Sequence, residues 1–334
     1  MAGEQGCEGL PPLVVLVGPT GVGKSAVAVE LALLTGGEVV SADSMQVYRG
    51  LDIGTDKIPP AERRGVPHHL LDVVPPDHTF TVAEYQALAV EVIREIHARG
   101  RLPILVGGTG LYVRAVVDGG LFPDPGPHPE IRERLRREAE ERGYQHLYER
   151  LAEVDPEAAA RLHPRDLRRV IRALEVYEAT GQPISLLQKR WRSEKPRYDA
   201  VFFGLTMDRA RLYCRIEERV ERQFARGLVR EVEALWRAGY FRRGTARQAL
   251  GYKEILGYLE GQYDLETAKR ILKAATRHYA KRQYTWFRRD ARITWLDVEA
   301  FPSPRAVAEE MVRLLGERRK DFLGAPGAEG AYNA

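Results

Sequence analysis

Residues 13–27, LVVLVGPTGVGKSAV, constrain this chain more than any other stretch. An unbroken apolar run ends in a glycine-rich turn, and the turn ends in Lys24-Ser25 at the start of a helical pattern. Gly18-Pro19-Thr20-Gly21-Val22-Gly23-Lys24-Ser25 fits G-x-x-x-x-G-K-[ST] in strand–loop–helix context. Backbone N–H groups of such a loop, with those of the helix that follows, form a nest for anions. Lys24 adds a point charge and Ser25 a hydroxyl suited to Mg²⁺. The stretch predicts a bound diphosphate or triphosphate without saying which reaction follows.

Around this loop the pattern alternates. GEVVSADS reads as a second buried strand ending at Ser41-Ala42-Asp43, residues 81–99 as a helix, and 102–106 as a further buried strand. Strands alternating with helices predict an α/β fold with a parallel, doubly wound sheet, whose ligands sit outside the carboxyl ends of the strands. The run FPDPGPHPE, with Pro123, Pro125, Pro127 and Pro129, reads as a stiff connector. Residues 130–190 carry only charged amphipathic helical patterns, and RYDAVFFGLTMD then returns as a strand. Helices over 208–238 and 267–289 and a closing strand, RITWLDV, complete the pattern. The expected division is a discontinuous core, 12–120 and 198–315, with C-terminal helices, and a helical insertion, 121–197. The ends, 1–11 and 320–334, are expected to be flexible.

Bulk composition narrows the setting. With 44% hydrophobic and 29% charged residues, the 334-residue chain has the make-up of a soluble globular protein. It lacks a stretch of about 18 apolar residues, and its N-terminus lacks a signal-peptide pattern. Cys7 and Cys214 stand alone, which suits a reducing compartment and argues against a zinc module; the cytoplasm is the expected location. The net charge of +4 is unevenly spread. Residues 270–292 carry eight Lys/Arg against Asp290, interleaved with Tyr279, Tyr284, Trp286 and Phe287. Residues 161–172 carry five Arg against Asp166. Solvated helix faces account for single runs of this kind; two together point to a polyanionic partner. Trp286 and Phe287 suit either base stacking or, preferably, the core.

A triphosphate hydrolase would add an acid on a neighbouring strand to hold Mg²⁺. Here PILVGG leads only to Thr109, and the nearby carboxylate is Asp43. Asp43 suits a turn or helix cap, or a general base facing an acceptor beside bound phosphate. Arg211, Arg215 and Arg219 fall on one stripe of a helix, with Glu217, Glu218 and Glu221 close by. The stripe is either an ion-paired surface or the source of an arginine aimed at a departing diphosphate. Such a site suits a small-molecule kinase using ATP, a transferase that expels diphosphate, or a non-catalytic RNA-binding protein.

Taken together, GPTGVGKS, SADSMQVYRGLDIGT, PHHLLD, LVGGTGLY, HPRDLRRVIRALEVY, RIEERV, QALGYKE and AKRQYTWFR resemble the tRNA dimethylallyltransferases, also called tRNA isopentenyltransferases. The resemblance runs over about residues 12–300. It implies a P-loop NTPase-like core with a helical insertion domain, and transfer of the dimethylallyl group of dimethylallyl diphosphate to N6 of adenosine. The target is position 37, just 3′ of the anticodon, in tRNAs reading codons that begin with U. Mg²⁺ assists, held in part by Ser25, and diphosphate leaves. The resemblance places the general base on Asp43, with Thr20 and Arg219 also catalytic. It implies diphosphate binding by Gly18, Thr20, Gly21, Val22, Gly23, Lys24, Ser25 and Arg219. The RNA contacts fall on Asp43, Ser44, Met45, Gln46, Thr109, Arg168, Arg169, Arg172, Gln248, Gly251 and Lys253. They continue on Lys281, Arg282, Gln283, Trp286 and Arg288. Arg168 departs from the Gln that many bacterial members carry, and the eukaryotic Cys/His zinc finger is missing, so the bacterial type is expected. The implied partners are the anticodon stem-loop of tRNA and the prenyl donor, met by a monomer without a membrane. A relative that prenylates free adenylate would not need the basic helices.

Overall fold

The structure, a computed structural model, describes residues 9–118, 126, 128–192, 196–242 and 244–318. The flexible ends expected at 1–11 and 320–334 lie outside these residues, apart from 9–11. So do Cys7 and most of the connector, including Pro123, Pro125 and Pro127.

In chain order the elements are β1 (Pro12–Val17), α1 (Lys24–Thr35), β2 (Glu38–Ser41), β3 (His68–His69), α2 (Val82–Ala98), β4 (Pro103–Gly107) and α3 (Gly110–Val117). Then come α4 (Pro129–Arg142), α5 (Tyr144–Val154), α6 (Pro156–Arg161), α7 (Leu167–Thr180) and α8 (Ile184–Arg192). The chain returns through β5 (Asp199–Thr206), α9 (Arg209–Ala225), α10 (Leu228–Arg237), α11 (Tyr252–Leu259), α12 (Leu265–Phe287), β6 (Ile293–Asp297) and α13 (Pro304–Arg318).

The six strands form one sheet in the order β3-β2-β4-β1-β5-β6, with every pairing parallel. Leu13 through Val17 are fully buried, as an all-parallel sheet covered on both faces requires. From β1 the chain crosses to β2 on one side and later adds β5 and β6 on the other. The carboxyl end of β1 is therefore the place where connections part and a crevice opens.

Three features go beyond the elements read from the sequence. β3 is two residues long, too short to show alternation. The helix expected over 208–238 breaks at Gly227, whose φ of 100° is left-handed, giving α9 and α10. α13 closes over α1, burying Val307, Ala308, Met311 and Leu315, which recur at helical spacing.

The described chain divides into two compact units, one of residues 1–80, 87–117 and 197–334, the other of 81–86 and 118–196. The second has its own core, built from Leu135, Leu147, Leu151, Val170, Leu174 and neighbours. Glu175 is fully buried there. It accepts from the His128 amide at 2.9 Å and pairs with Arg132 and Arg172. Burial would raise its pKa, but these donors outweigh it and hold the carboxyl below its ordinary value.

Candidate active site

The groups that line the cavity all belong to the first unit. The loop Gly18–Ser25 leaves the end of β1 and enters α1 at Gly23. Lys24 folds back over it, its Nζ donating to the carbonyls of Gly18 (2.9 Å) and Pro19 (2.8 Å). Beyond β2, one carboxylate oxygen of Asp43 accepts from the amides of Met45 (2.8 Å) and Gln46 (3.4 Å). Asp43 is thus a turn-former, and it also lines the cavity that the phosphate loop faces.

Beyond β4, Gly107 and Gly108 stand where a hydrolase would have an acid, and close packing explains them. A Cβ at Gly107 would fall 2.1 Å from the Ala42 carbonyl oxygen, and one at Gly108 would fall 2.0 Å from Gln283 Nε2. Gln283, on α12, donates from Nε2 to the Gly108 carbonyl (3.0 Å) and accepts from the Thr20 amide (2.8 Å). It stitches the phosphate loop to the end of β4.

Ion pairing sorts the arginine stripe of α9. Glu217 pairs with Arg277 of α12, and Glu221 with Lys269 and Lys273 of the same helix. Arg211 turns away to Glu299 at 2.9 Å. Arg215 and Arg219 are left lining the cavity. Arg219 donates to the Thr20 hydroxyl at 3.0 Å and meets Asp56 at 3.2 Å. The stripe thus divides: Arg211 is ion-paired at the surface, while Arg215 and Arg219 line the cavity.

The cavity is about 470 Å³ and gathers Thr20, Lys24, Ser25, Asp43, Gln46, Arg219, Gln248, Lys253, Tyr279 and Arg282. Burial lowers the Lys24 pKa to about 8, Asp43 opposing and Arg219 reinforcing the shift. Burial, then the charge of Asp43, push the Tyr279 hydroxyl up, so it stays protonated; it is hydrogen-bonded to Thr109. The arrangement sets Lys24, Thr20 and Arg219 in the same cavity as the Asp43 carboxylate.

Comparison with known proteins decides among the chemistries such a cavity allows. Residues 46–290 match the profile of a family described as IPP transferase. The chain belongs to the IPP transferase family. It is similar to a tRNA dimethylallyltransferase of Symbiobacterium thermophilum, 55% identical over 307 residues, covering 92% of this chain and 96% of that one. Another relative so named, from Desulforudis audaxviator, is 54% identical over 302 residues, covering 90% and 97%. Among solved structures, a tRNA isopentenylpyrophosphate transferase of Bacillus halodurans is 44% identical with a TM-score of 0.69, covering 93% of this chain and 97% of that one. A eukaryotic dimethylallyltransferase solved acting on tRNA is 30% identical with a TM-score of 0.74, covering 91% and 80%.

Within the family site, the expected residues fall into groups. Thr20, Gly21, Gly23, Lys24, Ser25, Asp43, Ser44, Met45, Gln46, Arg219, Gln248, Lys253, Arg282 and Gln283 line the cavity. Gly18 and Val22 are buried beneath the loop. Four of the expected RNA contacts have partners within the protein. Gln283 is 5% exposed and committed to the phosphate loop. The Thr109 hydroxyl accepts from the Ser44 amide at 3.1 Å. Gly251 opens α11 with its amide donating to Glu254 at 2.8 Å. Arg172 pairs with buried Glu175 at 3.2 Å in the other unit. Arg168 and Arg169 are exposed in that unit, Arg169 against Asp166.

The basic run of α12 also divides. Its first half pairs with α9, whereas Lys281, Arg282, Trp286, Arg288 and Arg289 are exposed beyond it. Trp286 is 43% exposed rather than in the core, and Phe287 is buried. A Cβ at Gly110 would fall 2.1 Å from the Trp286 ring nitrogen, so the glycine makes room for the indole.

Gln223, Tyr279 and the segment Gly54–Asp56 line the cavity without having been singled out for it. Leu272, Thr276, Tyr279 and Gln283 lie at i, i+4, i+7 and i+11, a helical face that the basic residues between them masked.

Proposed function

We propose that the protein transfers the dimethylallyl group from dimethylallyl diphosphate to N6 of adenosine 37 of tRNA, releasing diphosphate. The observation that carries this reading is that Lys24, Thr20 and Arg219 line one cavity together with Asp43, in a chain whose relatives are named tRNA dimethylallyltransferases. The N6 lone pair of adenine is delocalised into the ring and is a weak nucleophile. Asp43 accepts a hydrogen bond from N6 and takes its proton. The new bond forms between N6 and the allylic carbon, and the bond from that carbon to the diphosphate oxygen breaks. Lys24, Arg219 and the Thr20 hydroxyl neutralise the charge gathering on that oxygen.

The donor set fits Mg²⁺. The Ser25 hydroxyl is exposed at the cavity, and the described residues hold no group of three or more His, Cys, Asp or Glu that could bind a metal by themselves. Mg²⁺ is suited to one or two protein oxygens with substrate phosphate and water completing its shell. Such an ion would neutralise diphosphate charge.

The target base leaves its stack at a cost of roughly a few kcal/mol, least in an unpaired loop. The exposed cations of α12 and the segment after it hold the stem-loop backbone, so affinity falls steeply with salt. No helix among the described residues is long and apolar enough to cross a membrane.

The experiment is transfer of labelled prenyl to two anticodon stem-loops that differ only in adenosine or guanosine at position 37. Label is expected on the first alone, and equal labelling of both contradicts the assignment.

Lys24 makes donor binding pH-dependent. Only the ammonium attracts the diphosphate, and it loses its proton as pH rises through about 8. Donor affinity therefore falls above that pH, by up to about tenfold per unit. Equilibrium titration should show this fall in the wild type, and weaker binding without it in Lys24→Met.

A further inference from the structure

The segment Leu51–Asp56 has no regular secondary structure, yet its backbone is held from two helices. The Glu231 carboxylate, on α10, accepts from three successive amides, those of Asp52 (3.2 Å), Ile53 (2.8 Å) and Gly54 (3.2 Å). Gln223, on α9, donates from Nε2 to the carbonyls of Ile53 (3.0 Å) and Gly54 (2.9 Å). The Tyr252 hydroxyl donates to Glu231. Tyr252 is fully buried against Gly54, where a Cβ would fall 2.3 Å from its ring.

The segment ends at the reaction machinery. Asp56 has φ 54°, a left-handed conformation uncommon for a residue with a side chain, which persists where the surroundings over-determine it. From that position it meets Arg219 at 3.2 Å, and the Thr55 carbonyl accepts from Arg219 at 3.4 Å. Arg219 reaches the Thr20 hydroxyl from there. Arg219 and Gln223 are one turn apart on α9, so the helix face that holds the segment also carries the arginine.

We propose that Glu231, supported by Gln223 and Tyr252, is a positioning residue for prenyl transfer, holding residues 52–56 so that Arg219 is set against Thr20 and the departing diphosphate. The proposal rests on the reading of Arg219 given above. Glu231 is not among the residues that line the cavity. A carboxylate bound by three amides and a phenol is a charge-assisted hub, and its loss releases the segment that orients the guanidinium.

The test is a double-mutant cycle in kcat between Glu231→Gln and Arg219→Ala. The amide of Gln keeps the shape of Glu231 but turns an NH₂ toward donors. Glu231→Gln is expected to lower kcat about ten- to a hundredfold, the range for a small misplacement of a reacting group, with the KM for the stem-loop within about twofold. In the Arg219→Ala background it should cost no more than about twofold, because the group it positions is gone. Tyr252→Phe, milder and uncharged, should show a smaller loss with the same coupling, and serves if Glu231→Gln does not fold. A loss that multiplies fully in the double mutant, with Arg219→Ala itself slow, overturns the proposal alone. Wild-type kcat in Arg219→Ala overturns the reading of Arg219, and the proposal with it.

Discussion

Asp43→Asn lowers kcat for prenyl transfer by about 10²- to 10⁴-fold, the usual range for loss of a positioned general base. Asparagine is the informative substitution because Asp43 has two parts. One carboxylate oxygen closes the turn by accepting from the Met45 and Gln46 amides, and the carbonyl oxygen of Asn does the same. What Asn lacks is the capacity to take a proton from N6. The melting temperature should therefore stay near wild type, the KM for donor and stem-loop should change little, and the loss should fall on kcat. Single-turnover kinetics check this. Asp43→Ala removes the turn as well, and is expected to lose stability in addition to rate.

Arg219→Ala is expected to lower kcat about 10²- to 10³-fold, as when one preorganised donor to a developing oxyanion is removed. Arg219 donates to Thr20, meets Asp56 and lines the cavity. The charge it answers grows as the bond between the allylic carbon and diphosphate oxygen stretches, so the loss is weighted to kcat over ground-state binding. Arg219→Lys should recover part of the rate only. A lysine supplies charge but lacks the planar fork that here reaches Thr20 and the Thr55 carbonyl together. Stopped-flow measurement of diphosphate release, with tRNA saturating, separates the two variants.

Much of the fold could be read from the chain because its signals are local. An apolar run, a glycine turn and a helix start place β1, the phosphate loop and α1 without help from elsewhere. Asp43 was legible for the same reason, as a carboxylate at a strand end beside that loop. The rest of the site is made by pairing across long separations. Gln283 sits in a basic run where the resemblance implies RNA contacts, and nothing local shows that the tight approach at Gly108 brings it to Thr20, 263 residues away in sequence. The acids of α9 make the arginine stripe look neutralised, until α12 takes Glu217 and Glu221 and leaves Arg215 and Arg219 at the cavity. Residues 52–56 escape periodicity altogether, because side chains of α9 and α10 hold their backbone groups. For Trp286 and Phe287 the sequence leaves base stacking open and prefers the core; Phe287 is in the core and Trp286 is exposed. Its exposure follows from helix phase, which places the two neighbours on different faces.

The most direct test is transfer from labelled dimethylallyl diphosphate with no ATP present, offering an anticodon stem-loop with adenosine at position 37 beside free AMP. The account predicts label on the stem-loop alone, one diphosphate released for each prenyl group transferred. Label on AMP, or no transfer without ATP and phosphorylation of a small alcohol with it, would contradict the account.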